Sequence, residues 1–104
     1  MQTKLVLEID NLVNSYPNNK HNFTFITERG ILCELIRTCK DSNYDYEEKE
    51  NILHIALNKF TIMIKERYNF IYFVIEQLHA SLKKKEYDSF EIIVNEIENC
   101  SLLN

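Results

Sequence analysis

Glycine and proline are almost missing from this chain of 104 residues, which has one of each, and tryptophan is missing altogether. A sheet protein of this length needs Gly, Pro, Asn or Asp turns about every 8–12 residues. Their scarcity excludes most all-β designs and predicts long helices joined by few loops. A single glycine, Gly30, also excludes a P-loop or a dinucleotide fingerprint, because both cradle phosphate on several glycine amides. Positive charge is in deficit too, with 12 Lys and Arg against 16 Asp and Glu and a net charge of −4. No basic stripe is long enough to neutralise a phosphate backbone, so no nucleic-acid partner is expected. Lys83, Lys84 and Lys85 form the one basic cluster, at a predicted helix end where cations complement the dipole.

Long apolar runs are absent as well. The most apolar stretch, FIYFVI at 70–75, falls far short of the roughly 20 residues a membrane helix requires. Near the start, Glu8 and Asp10 interrupt the stretch where a secretory signal would be continuously apolar. Three cysteines, Cys33, Cys39 and Cys100, are an odd number and argue against a complete disulfide framework. Cys33 and Cys39 share one predicted helix, on different faces and about 9 Å apart along its axis, too far to bridge. Reduced thiols on apolar stripes are the expectation, with a cytoplasmic location and no membrane partner.

Apolar residues make up 45% of the chain, which is enough for one core and a single domain over residues 1–104. Leu5, Ile9, Leu12 and Val13 share one face of a first helix, predicted from Thr3 to about Ser15 and stopped by Pro17. YPNNKHN then reads as a loop, and FTFIT at 23–27 reads as a short extended arm or a loop ending in a cap. A second helix is predicted over 27–40, with Ile31, Leu32, Leu35, Ile36 and Cys39 inward and Glu34 among the polar positions. Asp45 followed by Glu48 fits a capping box that opens a third helix, and Asp88 followed by Glu91 fits one that opens the last.

Between these boxes the apolar positions Leu53, Leu57, Phe60, Ile64, Tyr68, Ile71, Ile75, Leu78 and Leu82 never leave helical phase. One helix of almost 40 residues, roughly 60 Å long, would need a partner chain to cover it. A turn around RYNF at 67–70, with Asn69 as a possible cap, makes the run an antiparallel pair instead. The turn is favoured, because helices in small globular proteins average about 12 residues. The expected fold is therefore all-α, a compact antiparallel bundle of four to five helices.

Chemistry-bearing patterns are sparse. Glu76 and His79 have the Glu-x-x-His spacing of carboxylate-bridged metal bundles, but the required second copy is absent and Glu50 with His54 has the wrong spacing. No Cys-x-x-Cys occurs, and no histidine lies close in sequence to a cysteine. No catalytic residue, cofactor or metal is therefore expected, and the chain does not read as an enzyme.

Charge placement says more. Residues 41–50 hold five acids against Lys49, and residues 86–98 hold five against no base. Both stretches open predicted helices, where first-turn acids complement the dipole. If those two helix starts meet at one pole of a bundle, ten carboxylates share a face with tyrosines. Acidic clusters steer basic proteins, and tyrosine gives contact area at low entropic cost. The candidate partner-binding residues are Tyr44, Asp45, Tyr46, Glu47, Glu48, Glu50, Tyr87, Asp88 and Glu91. In size, acidity and scarcity of loops the chain resembles small acidic bacterial immunity proteins. That points to an inhibitor, an immunity protein or antitoxin, that masks a basic nuclease-type toxin or effector. The alternative is a helical adaptor or structural subunit, dimerising through the apolar stripe of residues 51–83.

Overall fold

Leu53 to Leu82 stay in phase, yet the backbone that carries them breaks twice. In the computed structural model, which describes residues 3–19 and 24–100, the run divides into α3 (Tyr46–Lys59), α4 (Ile62–Arg67) and α5 (Asn69–Lys83). Phe60 and Thr61 are extended, and the Thr61 hydroxyl accepts the Ile64 amide at 3.3 Å to start α4. The second break, at Tyr68, falls within the predicted RYNF turn. Asn69 is the first residue of α5 rather than its cap, and no side chain caps that start. The single rod is excluded: the described residues measure 39 Å along their longest axis.

Three further helices complete the fold: α1 (Lys4–Asn19), α2 (Thr24–Lys40) and α6 (Tyr87–Glu98). The described residues are thus all-α, as expected, with six helices and no strand. The helix beyond the expected four to five is the short α4, whose only advance signal was the cap residue Thr61.

α3 and α5 form the most extensive helix pair. Phe60 meets Tyr72 edge-to-face at 5.2 Å, and His54 meets His79 at 5.6 Å between ring centres. Sequence numbers rise along one helix as they fall along the other, so the pair is antiparallel. The Lys65 ammonium lies 4.5 Å from the Tyr72 ring centre and ties α4 to the same seam. Leu53, Ile64, Ile71, Ile75 and Leu78 are fully buried, and Leu5, Ile9, Leu32, Leu35 and Phe90 meet them from the other helices. At about 25 cal/mol per Å² of apolar surface, this core is the main favourable term in folding.

Elsewhere the expectations need correction. α1 does not stop before Pro17 but runs to Asn19. Proline lacks the amide that would bond the Val13 carbonyl, a loss tolerated this close to a helix end. Tyr16, packed edge-to-face on Tyr68 at 6.4 Å, anchors that last turn to the core. The extended arm is absent at 24–27, where α2 has already begun, since a lone strand has no neighbour to pair with. Phe23 and the 20–22 part of the predicted loop lie outside the described residues. Glu34 is buried rather than exposed, and its carboxylate is paired with Arg37 and with Lys4 of α1. The cysteines form no disulfide.

Ile71 is 0% exposed and Ile62 79% exposed, although both are isoleucines of the segment 51–83. Ile71→Ala is expected to lower stability by about 2–5 kcal/mol, and Ile62→Ala by no more than about 0.5 kcal/mol. Urea denaturation of the two variants checks the contrast, and equal losses would contradict the burial of Ile71 and the exposure of Ile62.

Candidate functional site

The starts of α3 and α6 do meet. α3 begins with the predicted box: the Asp45 carboxylate accepts the Glu48 amide at 2.8 Å, and the Glu48 carboxylate accepts the Asp45 amide at 3.1 Å. α6 begins differently, and here the expectation fails. Its cap residue is Glu86, no side chain caps it, and Asp88 with Glu91 forms no box. The reason is that α6 starts two residues early, which leaves Asp88 inside its first turn and no longer at the cap, while the Glu91 carboxylate accepts the Tyr46 hydroxyl at 3.0 Å.

A tight backbone turn sets the start of α6. The Glu86 amide bonds the Ser81 carbonyl at 2.9 Å, and the Lys85 amide bonds the Leu82 carbonyl at 3.0 Å. This crossed pair is a Schellman motif, with Lys85 in the left-handed region at φ 60° where glycine is usual. Lys84 and Lys85 therefore close α5, as the dipole argument expects.

At the junction Tyr46 and Tyr87 stack face to face, 4.1 Å between ring centres and 5° from parallel. Phe90 supports Tyr46 edge-on from below at 5.9 Å, and the Lys49 ammonium lies 5.5 Å from the Tyr46 ring centre. Tyr44, Tyr46 and Tyr87 are half-buried and packed on the core. These tyrosines thus have a structural role as well as exposed edges. The hydrogen bond to Glu91 raises the Tyr46 phenol above its ordinary pKa, and desolvation and nearby carboxylates add to the rise. Phe90 and Lys49 belong to the junction without a signal in the charge pattern, and Lys49 is more than a countercharge because its stem is buried.

The ten-carboxylate face is smaller than expected. Glu96 and Glu98 lie about 14–17 Å along α6 from Tyr87, at 1.5 Å per residue. Glu98 is paired with Lys40 at 2.7 Å, and Glu96 lines a different recess. Asp41 accepts the Asn43 amide at 2.9 Å and so shapes the loop before α3. What gathers at the pole is Asp45, Glu47, Glu48 and Glu50 around one shallow recess and Glu86 and Asp88 around another, with Glu91 between the helices. Lys85 shares the second recess, so the pole is not uniformly acidic. Glu47, Glu86 and Asp88 are exposed and make no ion pair among the described residues.

Comparison with protein-family models, with characterised proteins and with solved structures finds no counterpart for this chain. The site therefore has to be read from its own residues. No helix among the described residues is long and apolar enough to cross a membrane. No group of three or more His, Cys, Asp or Glu among them could hold a metal ion. Glu76 is exposed on α5, and the partner of His79 is His54 across the seam.

Two titrations follow from these surroundings. Burial pushes the Cys39 thiol up to about 12, with Lys49 opposing and Glu91 reinforcing. In the native protein near pH 8, a thiol reagent followed by mass spectrometry should modify half-buried Cys33 well before Cys39. Desolvation lowers the His79 pKa, with His54 and Lys83 acting the same way and Glu50 opposing. The unfolded chain then binds the proton more readily than the folded one. The favourable contribution is complete above the ordinary histidine pKa of about 6.5 and is lost as pH falls below it. Relative to His79→Gln, the wild type should lose stability from about pH 7.5 to 5.5 in urea denaturation. A constant difference between the two proteins would rule this out.

Proposed function

We propose that this chain is a protein-binding inhibitor that uses the joined starts of α3 and α6 to mask a basic partner. The observation that carries the reading is the Tyr46–Tyr87 stack with exposed Glu47, Glu86 and Asp88 around it. Rigid aromatic surface ringed by unpaired carboxylates suits a contact in which the rings supply area and the acids steer approach. An immunity protein or antitoxin against a nuclease-type toxin fits, since such a target presents a basic surface for its own substrate.

A second reading is the self-associating adaptor that pairs through residues 51–83. Leu53, Ile64, Ile71, Ile75 and Leu78 of residues 51–83 are buried in the core, so the interface would use the apolar groups of this segment that stay exposed. Phe70, Phe73 and Ile62 are exposed on α4 and α5, and they are the groups an apolar interface would use.

Capture of partners from host extract at about 50 mM and about 500 mM salt separates the two, because exposed charges are screened beyond about 8 Å at physiological ionic strength. The inhibitor reading expects one basic protein held at low salt and released at high salt. It also expects Glu47→Lys to slow association and Tyr87→Ala to weaken binding by at least tenfold, with the helical circular dichroism unchanged. Self-association insensitive to salt, or a partner that Glu47→Lys does not affect, would favour the adaptor.

A further inference from the structure

The α3–α5 seam brings together two groups that the proposed function does not use. His54 is exposed on α3 and His79 half-buried on α5, with ring centres 5.6 Å apart and planes tilted by 31°. The Nε2 of His54 lies 3.2 Å from the amide nitrogen of Asn58. Imidazole ligates metal through a nitrogen lone pair, so a metal at this nitrogen would take the place of Asn58.

We propose that His54 and His79 together chelate one late first-row divalent cation, of the Zn²⁺, Ni²⁺ or Cu²⁺ class, and so clip α3 to α5. Bond lengths support the spacing. With a nitrogen–metal bond of about 2.0–2.1 Å and a ring centre ~1.1 Å behind the nitrogen, two imidazoles at a tetrahedral angle have centres about 5.2 Å apart. The observed separation exceeds this by a few tenths of an ångström, within the reach of a small rotation of the exposed His54 ring. Borderline-soft cations prefer imidazole, whereas Mg²⁺ and Ca²⁺ prefer oxygen. Glu50 faces the pair from α3 with a compensating negative charge, and Lys83 on α5 opposes. Water completes the coordination, since no third protein ligand is in place among the described residues.

The test is thermal denaturation of the full chain with about 1 mM Ni²⁺, Cu²⁺ or Mg²⁺, alongside His54→Gln and His79→Gln. The wild type should gain about 5 °C with Ni²⁺ and more with Cu²⁺, following the usual order of affinities, and nothing with Mg²⁺. Each variant should lose the gain while keeping its metal-free helical spectrum. A Ni²⁺ titration followed by NMR should broaden the ring signals of both histidines together, a readout that does not depend on either variant folding. No shift with Ni²⁺, an equal shift with Mg²⁺, or a gain retained in either variant would overturn the proposal.

Discussion

Everything in this molecule is arranged around one antiparallel seam, in which α3 and α5 bury the two halves of a single apolar stripe against each other. Ile71, Ile75 and Leu78 from one side meet Leu53 and Ala56 from the other within a core that α1, α2 and α6 close over. Hydrophobic burial is non-directional, so it does not by itself decide where the chain reverses. The reversal is set by local polar chemistry at Thr61 and by the irregular backbone at Tyr68. Once the seam exists, the start of α3 and the end of α5 lie at the same end of the molecule. The turn at Lys84–Glu86 then delivers α6 to that end, and the stacked tyrosines follow from it.

The parts of the fold legible in the sequence are those governed by periodicity and by single strong caps. The stripe in α2 from Ile31 to Cys39 and the Asp45–Glu48 box are where the pattern places them, because each depends on residues within a few turns of one helix. The parts that were not legible depend on distant neighbours. Asp88 and Glu91 have the letters of a capping box, but the turn after α5 starts α6 at Tyr87 and puts Asp88 inside it, and Glu91 bonds Tyr46, 45 residues away in the chain. Glu34 has the composition of a surface residue and is buried because Lys4 and Arg37 both reach it. Pro17 has the local meaning of a stop, and the packing of Tyr16 on Tyr68 overrides it.

The candidate site divides in the same way. That two acidic helix starts could share a pole was readable from their tyrosines and charges, and the two starts are adjacent. Which carboxylates belong to the pole was not readable, because the length of α6 carries Glu96 and Glu98 away from it. The half-burial of the tyrosines also alters their meaning. They lock α3 to α6 and present an edge to solvent at once, so a partner would meet a surface that is already ordered. Preorganised contacts of this kind lose less side-chain freedom on binding than mobile ones do.

The turn between α5 and α6 has a consequence for how such a surface could diverge. Its geometry rests on two main-chain bonds, from Glu86 to Ser81 and from Lys85 to Leu82, and on no side-chain cap. The side chains of Lys84, Lys85 and Glu86 all point to solvent and hold nothing in place. Charge at these positions can therefore be exchanged, one residue at a time, while Tyr87 stays where the backbone puts it. A lineage under pressure to track a changing partner could retune the rim of the pole here at almost no cost in folding.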